Sequence, residues 1–262
     1  MAATARRTRA LRQGCSTVVS LCVCFAVFSV ACGTSATPDG PLDPEHDVHI
    51  IFSTQCTTYF DWQTLGLAYS HIQAYDKAGL AHPPLTRLMA CNKEEWPGEY
   101  LCSEWSHPSH STHWHPDWGV HPVTGDRYTP YNKPASVKHW LEHGKPKARV
   151  IVILDADMVI RAPIGVSQTG VAPGRPVSAR YGYLKGVYPE NYMKVKEEVK
   201  CQPHCNFQQV GGFMVHMRED IERAAPLWLH YTERVRQDKD SWGNTGDIFN
   251  GNGKSGPPWI SE

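Results

Sequence analysis

The 262 residues carry 26 Lys and Arg against 26 Asp and Glu, a formal net charge of +0, with 41% hydrophobic residues. Four of the basic residues, Arg6, Arg7, Arg9 and Arg12, crowd the N-terminus, so 22 basic residues face 26 acidic ones in the remainder. That balance excludes a nucleic-acid binder held by electrostatics.

The four arginines precede a mostly apolar stretch from Cys15 to Cys32. A basic flank before an apolar segment of this length predicts a signal anchor over residues 1–33, with a cytoplasmic N-terminus and a lumenal body. A signal peptide cleaved among Ala31, Gly33 and Ala36 is the alternative. Residues 34–47 lack periodicity and read as a linker. Residues 48–262 suffice for one domain with a full core.

Within that domain Val48 to Ser53 reads as a strand. Trp62 to Lys77 reads as an amphipathic helix with Trp62, Leu65, Tyr69, Ile72 and Ala74 near one face. Leu85 to Cys91 is a second strand. Between Cys102 and Tyr131 lies a polar segment with His107, His110, His113, His115 and His121 beside Trp105, Trp114 and Trp118. It reads as a long functional loop on the acceptor side, with His113 and His115 as candidates for a transition metal and ordinary loop histidines as the alternative. Pro134 to His143 is a helix that begins on a tolerated proline and ends at Gly144.

The most informative stretch is R-V-I-V-I-L-D-A-D, Arg149 to Asp157. Val150 to Leu154 is a strand buried on both faces. If the chain stays extended, Asp155 and Asp157 point the same way at its end and repel each other unless a cation lies between them. Hard oxygen ligands suit Mn²⁺ or Mg²⁺ completed by a nucleotide diphosphate. D-A-D-M-V also fits the nucleophile motif of haloacid dehalogenase-type phosphatases, but that motif normally ends the first strand of its domain. Arg175 to Tyr183 and Val210 to His216 are later strands. The second opens on Gly211 and Gly212, which suit either close approach of a ligand or a bulge. Glu219 to Arg236 is the last helix. The alternation predicts an α/β domain with a largely parallel sheet and ligands at the strands' C-terminal ends.

Five cysteines fall after the apolar segment: Cys56, Cys91, Cys102, Cys201 and Cys205. Cys201 and Cys205 are the nearest pair and are expected to form a local disulfide, with a zinc site including His204 as the alternative.

Several ordered motifs add a family. I-F-S-T-Q-C, Y-F-D-W-Q-T, H-P-V-T-G-D, N-K-P, V-I-L-D-A-D-M-V-I-R-A-P-I, A-R-Y-G-Y-L, V-G-G, A-P-L-W-L and W-I-S-E occur in this order. With them, residues from His49 to Glu262 resemble the peptidyl serine α-galactosyltransferases of plants and green algae, which share a domain type with hydroxyproline O-arabinosyltransferases. The resemblance implies a GT-A-type fold, Mn²⁺ with Mg²⁺ as the alternative, and UDP-galactose as donor with retention. The implied acceptor is serine in secreted hydroxyproline-rich glycoproteins, and the implied setting is a type II membrane protein of the Golgi or endoplasmic reticulum with a lumenal catalytic domain. The alternatives are an arabinosyltransferase using UDP-arabinofuranose, the phosphatase, and a non-catalytic His-rich binding protein. Asp155 and Asp157 match the metal motif, and Asp61, Trp62, Gln63, Asn132, Lys133, Gly211 and Gly212 are the expected donor-side residues. The family domain continues past W-I-S-E, so a missing C-terminal part is expected, and His216 is the candidate third ligand.

Overall fold

The computed structural model describes residues 44–91, 103–180, 200 and 210–237. The chain divides into Met1–Thr37 and Pro38–Glu262. The expected anchor, residues 34–43 of the linker and the Cys201 and Cys205 pair lie outside the described residues. Among the described residues, no helix is long and apolar enough to cross a membrane.

The strands are β1 (Val48–Gln55), β2 (Leu85–Ala90), β3 (His110–His115), β4 (Val150–Leu154), β5 (Val177–Arg180) and β6 (Val210–Met217). They form one six-stranded sheet in the order β3-β2-β1-β4-β6-β5. The first four run parallel, whereas β6 is antiparallel to both of its neighbours, so the sheet is mixed. The helices are α1 (Thr58–Ala78), α2 (Asn132–Gly144), the short α3 (Val166–Thr169) and α4 (Arg218–Gln237).

All five residues of β4 are buried because the strand is covered on both sides. Val150, Val152 and Leu154 join Leu67, Ala68 and Tyr75 of α1. Ile151 and Ile153 join Val137 and Trp140 of α2 and Ile221 and Ala225 of α4. Each such side chain gains about 1.5–3 kcal/mol on full burial, which a strand can realise on both faces only inside a three-layer stack. α2 ends at Gly144, where a Cβ would lie 2.7 Å from Trp140 Cδ1, and Lys145 leaves the helix in the left-handed conformation at φ 45°.

Two expectations are corrected. The His-rich segment is not all loop, since His110–His115 pairs along the whole of β2 as the edge strand β3. Its alternation is polar: Thr112 accepts from Trp105 Nε1, and His110 meets His71 of α1, whereas His113 meets His139 of α2. A hydrophobic period of two is therefore missing although the pleat is present. Helix α1 starts earlier than expected, capped by the Thr57 side chain, and buries a different face. Inside are Asp61, Thr64, Leu67, Ala68, His71, Ala74 and Tyr75, whereas Trp62 and Tyr69 are exposed.

The packed histidines set a pH dependence. Burial first, then His110, His82 and His107, pushes His71 down to about 3. Burial likewise pushes His49, His113 and His115 down to about 4. A free histidine titrates near about 6.5. As pH falls from there towards about 4, the unfolded chain takes up protons that the folded chain refuses, and stability is lost. The urea midpoint should therefore be lower at about pH 5 than at about pH 7.5, and equal midpoints would contradict this packing.

Candidate active site

The chain leaves β1 for β2 and β3 on one side and returns through α2 to β4 on the other. This reversal opens a crevice at the C-terminal ends of β1 and β4, the place where open α/β sheets bind ligands. A cleft of about 330 Å³ lies there. Its walls include Ser53, Thr54 and Gln55 from the end of β1, Tyr59, Phe60 and Gln63 from α1, and Thr129, Pro130, Asn132 and Lys133 around the start of α2. Leu154 to Asp157 form the remaining side.

The parallel register brings Gln55 opposite Ala90, and the next residues on the two strands are Cys56 and Cys91. They form a disulfide with Cα atoms 5.6 Å apart, across 35 residues of sequence. The expected local pair lies outside the described residues, and this bond was not foreseen because only the strand register brings its ends together. Replacing both cysteines by serine should cost about 3–4 kcal/mol through the unfolded chain. Denaturant titration of the oxidised chain and the double variant measures it; coincident curves would contradict the estimate.

The two carboxylates reach the cleft by a turn rather than an extended strand. β4 stops at Leu154, and Met158 N–H donates to Asp155 O at 3.2 Å. Ala156 is buried between Asp155 and Asp157, while both acidic residues line the cleft. Lys133 Nζ lies 2.9 Å from Asp155 Oδ1. The lysine is positioned by the first turn of α2, where Ser136 Oγ donates to Lys133 O at 2.8 Å and meets Ser53 Oγ of β1. The cleft thus combines acidic groups with a cation already drawn to one of them.

Among the described residues, no group of three or more His, Cys, Asp or Glu side chains is arranged to hold a metal. Two carboxylates still fit a hard divalent ion of the kind that takes its other ligands from phosphate and water. Asp155 Oδ1 already carries the Lys133 ammonium, so an ion there would share that carboxylate with the lysine.

The other expected residues separate. Gln63 is buried in the cleft wall. Asp61 lies behind it, with Oδ1 2.9 Å from Arg87 Nη2, while Arg87 Nε donates to Thr54 Oγ1 at 2.8 Å. Burial pushes the guanidinium's pKa down and Asp61 opposes that shift. Trp62 points outward, edge-on to Tyr59. Asn132 borders the cleft, but its amide is engaged: Oδ1 accepts from Trp118 N and Nδ2 donates to Asp117 Oδ1, both at 2.7 Å. Met214 pairs with Ile153, so the antiparallel course of β6 puts Gly211 and Gly212 towards the Asp155 end of β4. Gly212 has φ 65°, a conformation that glycine adopts without cost. His216 pairs with Ile151 at the opposite end of β4 and feels Asp220, so the structure does not bring it to the carboxylates. His113 and His115 are likewise away from the cleft, one against His139 and the other with Nδ1 2.9 Å from Pro116 O.

A strap unseen in the sequence fixes the loop before α2. Arg236 of α4 grips Asp126 through Nε and Nη2 at 2.9 and 2.8 Å and lies 3.9 Å over the Tyr128 ring. Tyr131 Oη donates to Asp126 Oδ2 at 3.2 Å. His121 Nδ1 accepts from Val123 and Thr124 N–H, which leaves Nε2 to donate to Glu233 Oε1 at 3.0 Å. The H-P-V-T-G-D motif thereby holds Thr129 and Pro130 in the cleft wall.

Fold and cleft define an α/β protein with a two-carboxylate ligand site at its topological switch point. By sequence, the chain is a homologue of proteins named peptidyl serine alpha-galactosyltransferase. It is 41% identical to the one from Arabidopsis thaliana over 217 residues and 32% identical to the one from Chlamydomonas reinhardtii over 229 residues, in each case 82% of this chain. The chain spans about a quarter of the length of these relatives, 24% and 28%. No family model matches it. Solved structures similar to it include galactosyltransferase LgtC with donor and acceptor sugar analogues, at 16% identity and a TM-score of 0.48. An active-site mutant of LgtC gives 12% and 0.46, and each alignment covers 78% of this chain and 69% of the other.

Proposed function

We propose that this chain is a GT-A-type glycosyltransferase unit that moves galactose from UDP-galactose, with retention, onto serine of a hydroxyproline-rich secreted protein. The observation that carries the reading is the placement of Asp155 and Asp157 in the switch-point cleft of a chain homologous to two proteins named for that transfer. Asp155 and Asp157 would hold Mn²⁺, with Mg²⁺ as the alternative. When bound, the ion neutralises charge on the departing diphosphate. Lys133 brings a further positive charge to the same wall, and Gln63 offers an amide to the donor. The basic and apolar N-terminal segment and the Cys56–Cys91 disulfide support a type II anchor and an oxidising lumen.

The test is calorimetry of the full chain with a panel of UDP-sugars and Mn²⁺, followed by transfer to a serine- and hydroxyproline-containing peptide. UDP-galactose should bind best and label serine. Preference for UDP-arabinofuranose with label on hydroxyproline would move the chain to the arabinosyl branch. Release of phosphate from a phosphomonoester without any UDP-sugar, or absence of nucleotide binding, would overturn the proposal.

A further inference from the structure

Helix α1 packs a mixed face, with Leu67, Ala68 and Tyr75 beside Asp61 and His71, into the core and leaves an aromatic stripe on the face turned to solvent. Tyr59, Trp62 and Tyr69 are 56%, 60% and 59% exposed, and they are the large aromatic side chains left in solvent among the described residues. Their spacing of three and then seven residues keeps them on one helical face. Gly66 falls between Trp62 and Tyr69 on that face, and a Cβ there would meet nothing within 4 Å. The stripe therefore has a notch, with rings about 10.5 Å apart along the helix on its two sides.

One end of the stripe reaches the cleft. Tyr59 belongs to its wall. Beyond Asp157 the chain lies along the same helix, where Ile160 N–H donates to Ser70 Oγ at 3.0 Å, and the preceding Val159 is 64% exposed. An extended chain lying on the stripe would lead into the carboxylate cleft. A row of exposed aromatics suits a polyproline II segment, whose turn of about 9.3 Å is close to the notch and whose rigidity lowers the entropy of binding.

We propose that Tyr59, Trp62 and Tyr69, with the notch at Gly66, are the docking shelf for a proline-containing acceptor peptide. The inference rests on reading the cleft as a transferase site, and it adds the surface that selects the acceptor.

The test measures fluorescence anisotropy of a labelled serine peptide flanked by prolines, with the full chain and without nucleotide or metal. Trp62→Ala and Tyr69→Ala should each weaken binding about tenfold, the scale of a good aromatic anchor. Gly66→Glu should do the same by filling the notch, while improving the helix rather than harming it. Leu227→Ala, at an exposed apolar site on α4, should leave peptide affinity unchanged. Mn²⁺-dependent UDP binding, read separately, should survive in all four variants. Equal peptide affinity in wild type and shelf variants, or equal affinity for a glycine-flanked peptide, would overturn the shelf. Self-association of the chain that disappears in Trp62→Ala would also overturn it. If the wild-type chain binds no UDP-sugar yet loses the peptide in the shelf variants, the transferase reading fails and the shelf stands.

Discussion

Asp157→Ala is expected to abolish Mn²⁺-dependent UDP binding while leaving thermal stability nearly unchanged. The side chain is exposed at the end of the turn after β4, so its removal opens no cavity and strands no buried partner. Surface changes of that kind usually stay within about 0.5 kcal/mol. Binding is different, because a site that offers two protein carboxylates to a divalent ion loses half of its charged ligands. Asp155→Ala should lose binding as well and also release Lys133 from its 2.9 Å contact. Calorimetry showing wild-type affinity for Mn²⁺ and UDP in both variants would remove the metal site from this cleft.

The largest stability loss is expected at Asp61. Arg87 is fully buried, and its strongest partner is the Asp61 carboxylate. Asp61→Ala leaves that guanidinium without a counter-charge and should cost about 3–5 kcal/mol in urea unfolding. Asp61→Leu combined with Arg87→Met should recover much of the loss, since two apolar side chains do not have to be desolvated as ions. The same position therefore has different consequences alone and in the pair. A loss below about 1 kcal/mol for Asp61→Ala would mean that water reaches Arg87 and the pair is not closed.

What was legible in the sequence follows from how many partners each residue needs. β4 was readable because Val150 to Leu154 require apolar cover on both faces, whatever supplies it. The position of Asp155 and Asp157 at a strand's end followed, although the turn between them did not. β3 was hidden because His110 and His113 are satisfied by other histidines, His71 and His139, and such pairs leave no hydrophobic period. The face of α1 was misread for a related reason: Asp61 and His71 enter the interior only because Arg87 and His110 await them from other elements. Asn132 looked like a ligand residue, yet its amide holds the Trp118 loop. Asp126 and Arg236 are 110 residues apart, and no local pattern could have joined them.

That last distance has a temporal meaning. A ribosome adding about 5–20 residues per second delivers Arg236 roughly 6–20 s after Asp126. Until it arrives, β1 to β4 and both carboxylates are already made without the guanidinium that grips the Thr129 and Pro130 wall. Synthesis thus produces the floor of the cleft first and its clasp later, and the nascent chain passes through an interval in which the acidic pair exists beside an unfastened wall.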